Sequence, residues 1–162
     1  MIQRKMIAAS ISSSLLALLL GVIIPNPYRE GFVVGQNYFI STTAIVNLFL
    51  MYFFPAVLLY GIATSIFSDL AGQFLSRVSE NRLRAVLVSL ILHVLFGLVL
   101  LPYSLAASIL FFTIDKLLRK KNTIYPWRQA VVSLFIPIAL WVISWVIVGI
   151  KDYMDMIYII RL

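Results

Sequence analysis

LLPYSLAASILFFTIDKLLRKK, residues Leu100 to Lys121, decides how this chain is laid out. The backbone either runs through Pro102 and Tyr103 as one over-long helix or turns there and goes back. Thirty uncharged residues, Ala85 to Ile114, separate Arg84 from Asp115. At about 1.5 Å per residue a single helix of that length reaches about 45 Å, against a hydrocarbon core of about 30 Å. A hairpin gives two arms of about 22 Å each, which are too short. Mismatch costs only fractions of a kcal/mol per Å, so length leaves both readings open.

Charge placement separates them. With the N-terminus cytoplasmic and this region a single span, seven Lys and Arg fall inside and six outside. With a turn at Pro102, ten fall inside and only Arg29, Lys151 and Arg161 outside. Short cytoplasmic loops carry an excess of Lys and Arg, so the second layout is preferred. Local chemistry agrees. Proline disturbs a helix interior and biases Leu101 before it away from helical angles. Leu117 and Leu118 lengthen the returning arm while Lys116 and Arg119 snorkel to the headgroups. A shallow re-entrant hairpin satisfies the same count, and one long helix stays as the four-span alternative.

The rest of the 162 residues reads as membrane protein. Hydrophobic residues make up 62% of the chain and charged residues 12%, where soluble domains average about 45–50% and about 25%. Met6 to Ile24 follows Arg4 and Lys5 as an apolar run of 19 residues. It ends in GVIIPNPYRE, without a small-x-small cleavage pattern, and is read as a retained first span. Ser10, Ser12, Ser13 and Ser14 are expected to face other helices, where small side chains let backbones approach. Ile40 to Phe67 is uncharged over 28 residues and is expected to kink at Pro55. Ser68 to Arg84 reads either as a short helix on the membrane surface or as a polar connector. Ala130 to Ile150 is a comfortable last span with Tyr125 and Trp127 at its entrance. The tail after it either continues this helix or lies in the interface. The expected fold is therefore an all-α polytopic membrane bundle forming a single domain. Its five segments lie near 6–24, 40–67, 85–101, 103–118 and 130–150, with a cytoplasmic N-terminus and an extracytoplasmic C-terminus.

LLYGIATSIFSDL (Leu58 to Leu70), LHVLFG (Leu92 to Gly97) and SLAASILFFTIDKLLRKK (Ser104 to Lys121) resemble a family of small, uncharacterised multi-pass membrane proteins of Bacillus-type bacteria. The resemblance covers Ile40 to Lys121, about half the chain. It implies that the segment ending in an Asp and a basic cluster is a separate span. It implies no activity and carries no functional residue across. Family members end soon after that cluster, so the run after Ala130 departs from the pattern.

Residues able to carry chemistry are few. His93, the single histidine, shares a helix face with Ser89 and Gly97. It reads as a cross-helix hydrogen bonder or, alternatively, as a proton relay or ligand site. Asn47, within the second run, reads as a helix-to-helix hydrogen bonder or, alternatively, as a substrate ligand. Asp69 and Asp115 stand where apolar runs meet basic segments. Asp115 is expected to pair with Arg119 at i+4, and Asp69 to cap or neutralise the segment that follows it. Lys116, Arg119, Lys120, Lys121 and Arg128 form the densest charge, read as a topology anchor that attracts anionic headgroups. The formal net charge of +7 is assigned to that role rather than to nucleic acid. The chain has no cysteine, so thiolate metal sites and thiol nucleophiles are excluded. HExxH, a phosphate loop with its Lys, and GxSxG are all missing. The expected function is that of a non-enzymatic accessory or interaction protein of a bacterial plasma membrane, without cofactor. Its partners would be the bilayer and a membrane protein or a second copy. The alternative is a small transporter or channel subunit acting as an oligomer.

Overall fold

The computed structural model of the protein describes residues 1–25, 38–79, 82–98, 102–121 and 124–160. Its elements are helical throughout these residues: α1 (Ile2–Ile23), α2 (Tyr38–Ala56), a π-helical turn (Val57–Gly61), α3 (Ile62–Ser79), α4 (Arg82–Leu98), α5 (Pro102–Lys120) and α6 (Trp127–Ile160). Since α2, the π turn and α3 are continuous, these make five unbroken helices. Three stretches are long and apolar enough to cross a membrane: Ile2–Ile23, Tyr38–Phe74 and Trp127–Tyr158.

The axis of the bundle is α1. It packs on α2, on α5 and on α6, and touches the π turn and α3 as well. Its composition explains that place. Ala8, Ala9, Ser10, Ser12, Ser13, Ser14, Ala17 and Gly21 are all buried, so neighbours approach closely, while Leu15, Leu18, Leu19 and Val22 stay exposed on its second half. The serines satisfy themselves locally. Ser13 Oγ donates to the Ala9 carbonyl at 2.8 Å and Ser14 Oγ to the Ser10 carbonyl at 2.8 Å, so no hydroxyl is stranded. Ser10 also meets Ser133 of α6, Oγ to Oγ, at 3.3 Å. The inward placement expected for these four serines is what the structure has. Near the other end a Cβ on Gly21 would lie 2.4 Å from Val46 Cγ2, so glycine there lets α1 and α2 close together.

The second apolar run does not end at Phe67. Its helix passes Pro55, widens into the π turn and continues to Ser79, about 63 Å from Tyr38 at 1.5 Å per residue. The separate surface helix considered for Ser68–Arg84 is thus replaced by a continuation into α3. The connector after Pro25, with Arg29, lies outside the described residues, as do Glu80, Arg161 and the side chains of Arg77, Arg82 and Arg84.

The chain turns back between α4 and α5. Pro102 is the first residue of α5, where a missing N–H costs nothing because first-turn donors have no helical partner. Residues 99–101, the connection itself, lie outside the described residues. The two helices run alongside each other: Ser104 Oγ donates to the Gly97 carbonyl, and Ser108 Oγ to the His93 carbonyl at 2.6 Å. A Cβ on Gly97 would lie 3.1 Å from the Leu105 Cα, so the arms meet closely at that glycine.

The last helix is peripheral. Ala130, Ser133, Pro137 and Ser144 are buried, while Trp141, Trp145 and most of the remainder stay exposed. The tail continues α6 to Ile160 rather than leaving it.

Candidate functional site: a buried ion cluster beside a histidine-walled cavity

Four helices converge on Lys5. Its side chain is completely buried, and an ammonium has three protons to place. They meet Ser65 Oγ at 2.5 Å, Asp69 Oδ2 at 2.7 Å and Asp115 Oδ2 at 3.5 Å. Arg4, one position earlier, grips Asp115 with two nitrogens, Nε to Oδ1 at 2.7 Å and Nη2 to Oδ2 at 3.1 Å. This fork matches a planar guanidinium to a planar carboxylate. Ser89 of α4 adds a longer bond from its Oγ to Asp69 Oδ1 at 3.4 Å. Two cations and two carboxylates thus neutralise one another, joining α1, α3, α4 and α5.

This arrangement corrects two expectations, for Asp115 and for the basic pair of α1, and gives Asp69 partners that the sequence did not offer. Asp115 does not rely on Arg119 one turn away; α1 takes both of its oxygens. Among the described residues the partners of Asp69 are Lys5, Ser89 and, at 4.0 Å, Arg4, so it faces α1 and α4; the arginine side chains of the segment that follows it lie outside the described residues. Arg4 and Lys5, counted as charges flanking the first span, are drawn into the bundle instead. Burying an unpaired charge is expensive, so each of these four groups is tolerable only because the others are present.

The cluster also fixes the hairpin. Ser89 and Asp115 stand 26 positions apart, about 39 Å along a straight helix, yet both reach the same group around Lys5. Only a returning chain brings them together.

Next to the cluster, the end of α2, the π turn, α3, α4 and α5 line a partly open cavity of about 60 Å³. Phe53, Tyr60, Phe96 and Phe111 give it aromatic walls, and Gly61, Gly97 and Ala107 leave the space open. His93 stands in this wall, 4% exposed. Its Nδ1 donates to the Ser89 carbonyl at 2.7 Å, and its Nε2 is buried with no hydrogen-bond partner among the described residues. The Ser89–His93–Gly97 stripe seen in the sequence is therefore buried as a unit, linked to the ion cluster through Ser89.

The remaining singled-out residues lie apart. Asn47 is half-buried on α2 beside Val46, which meets Gly21, about 24 Å up α1 from Lys5. Lys116 is half-buried with its Nζ 5.1 Å from the centre of the Phe112 ring, a cation–π contact. Arg119, Lys120, Lys121 and Arg128 are exposed. Among the described residues no group of three or more His, Cys, Asp or Glu side chains is placed to hold a metal ion. No family model, curated protein or solved structure matches the chain.

Proposed function

We propose that the chain is a five-segment integral protein of a bacterial plasma membrane, with a cytoplasmic N-terminus and an extracytoplasmic C-terminus. In this reading it belongs with the small multi-pass proteins of Bacillus-type bacteria that its middle half resembles. It acts without enzymatic chemistry, as an accessory or interaction protein with a membrane protein or a second copy as partner. The observation that carries this reading is the neutral ion cluster. Its charges are spent on one another and tie four helices together, as in a scaffold, rather than being left open along a path. The third and fourth segments are the α4–α5 hairpin, whose second arm rises about 20 Å from Asp115 to Pro102. Lys116, Arg119, Lys120, Lys121 and Arg128 then hold the cytoplasmic side against anionic headgroups.

Topology is tested by cysteine labelling, because the chain has no cysteine of its own. An impermeant maleimide on intact cells should label Tyr158→Cys and leave Lys120→Cys unlabelled; the reverse would restore four spans. The role is tested in proteoliposomes and native membranes. The expected results are no protein-dependent flux of protons, sodium or potassium, and one stoichiometric partner, or a self-complex, after crosslinking. A second reading, a small transporter or channel subunit, is favoured by the unpartnered nitrogen of His93. A proton flux lost in His93→Leu would put that reading first.

A further inference from the structure

We infer that the chain pairs with a second copy through α2, the two helices lying parallel and Asn47 of each copy hydrogen-bonding to Asn47 of the other. The inference rests on the reading of the chain as an interaction protein and deepens it, naming the partner and the docking face. It holds whether the α4–α5 hairpin crosses the bilayer or re-enters it.

Asn47 lies inside the uncharged run, about 10 Å along the helix from Ile40. Its side chain is half-buried and makes no hydrogen bond among the described residues, and neither amide atom is shut off from the surface. Thr43, one turn earlier, settles itself by donating from Oγ1 to the Phe39 carbonyl at 2.7 Å. An amide is harder to settle within one helix, because it brings two protons and an acceptor oxygen. Lipid tails offer neither donor nor acceptor, and a polar group left unpaired among them is costly. The carboxamide is, however, complementary to itself. Where two copies meet, each amide donates one N–H to the other's carbonyl oxygen. A second copy is thus a partner certain to carry the matching group.

The residues around Asn47 have the spacing that such a contact requires. Ile40, Ala44, Asn47, Met51 and Phe54 recur at alternate intervals of four and three, the seam of two parallel helices. None of them is buried by the chain's own helices, whereas Thr43, Val46 and Leu50 are. Ala44 is small and lets two backbones approach beside the amide. Met51, Phe54, Pro137 and Trp141 help to line an open groove of about 210 Å³ between α2 and α6, which leaves room for a side chain of the second copy. Both copies cross the bilayer in the same sense, so their two-fold axis runs along the membrane normal and each seam residue meets its own counterpart. One Asn in an otherwise apolar seam fixes the register of the pair.

The chain has no cysteine, so single cysteines on α2 report the contact by forming disulfides, which need Cα atoms within about 7 Å of each other. In native membranes treated with copper phenanthroline, Ala44→Cys and Met51→Cys should each give a dimer. Tyr52→Cys should not, although Tyr52 is 61% exposed and Met51 59%, because it points about 100° away from the seam. Adding Asn47→Leu to Met51→Cys should reduce the dimer. In micelles the full chain with Asn47→Leu should self-associate roughly tenfold more weakly by resonance energy transfer, and Asn47→Gln, which keeps an amide, should recover part of that loss. The inference is overturned by a chain that stays monomeric, by equal dimer from Tyr52→Cys, by self-association indifferent to Asn47→Leu, or by an Asn47→Gln no better than Asn47→Leu. A Met51→Cys adduct with a different membrane protein and no dimer also overturns it, yet leaves the accessory reading standing. An ion flux carried by an Asn47-dependent dimer would do the reverse, upholding the interface and removing the accessory role.

Discussion

Two lysine–aspartate contacts in this molecule use the same groups under opposite conditions. Lys151 and Asp155 pair at i, i+4 on the outer stretch of α6, with 38% and 58% of their side chains exposed. Lys5 and Asp69 pair across helices at 2.7 Å, with 0% and 7% exposed. Exposed pairs gain little, because water and ions screen them and two long side chains must be held still. The buried pair has a different role. Its charges come out of water at a high cost and are returned to balance only by each other and by Arg4 and Asp115. The first pair decorates one helix; the second dictates how four helices meet.

The largest effect is expected where this balance is broken from one side. Lys5→Met leaves Asp69 and Asp115 sharing one guanidinium, and removes the hydrogen bond that Ser65 accepts. Removing one partner of a buried pair costs about 3–5 kcal/mol, and equilibrium unfolding of the purified chain in mixed micelles should show a loss of that size. A loss below 1 kcal/mol would mean that the cluster reorganises around water. Removing both charges should do less harm. Lys5→Met combined with Asp69→Leu leaves Arg4 and Asp115 as a balanced fork, and apolar replacements of buried pairs are often neutral or better. The double variant should recover more than half of the stability that Lys5→Met loses. If instead the two losses add, the cluster acts through hydrogen-bond geometry rather than charge balance.

This cluster also marks where the sequence stops being legible. The helices long and apolar enough to cross a membrane, the reversal between α4 and α5 and the inward serines of α1 follow from run length, charge asymmetry and small side chains. All of these are local. The partner of Asp115 is not, since Arg4 lies 111 positions away and spacing along one helix offers only Arg119. The same blindness cut the second apolar run at Phe67. A charge at Asp69 reads as the end of a span unless its counter-ion, contributed by α1, is known. The His93 face was visible as a stripe with Ser89 and Gly97. Its cavity was not, because the π turn that forms the opposite wall leaves no mark in the hydropathy pattern.

A middle-sized effect belongs to the uncharged end of α1, where contact rather than charge holds the helices. At Gly21→Ala the new methyl meets Val46 Cγ2 at 2.4 Å and the Thr42 carbonyl oxygen at 3.2 Å, so α1 and α2 must part or Val46 must turn. Overpacking of this kind costs about 1–3 kcal/mol, below the expected loss for Lys5→Met. The same unfolding titration ranks the two. A Gly21→Ala loss equal to that of Lys5→Met would show that close packing, not the ion cluster, governs the assembly of α1.

The smallest effect closes the comparison. Lys151→Ala removes a contact between neighbours on one helix, both in reach of solvent, and no other helix depends on it. The expected change is about 0.5 kcal/mol or less, and raising the salt concentration should reduce it further. The buried cluster should show almost no salt dependence, because mobile ions do not enter it. Measuring Lys5→Met and Lys151→Ala at low and high salt therefore separates the two kinds of pair without reference to their absolute energies. A strong salt dependence in the stability lost by Lys5→Met would place the cluster in contact with the aqueous phase. Its role would then shrink to that of the pair on α6.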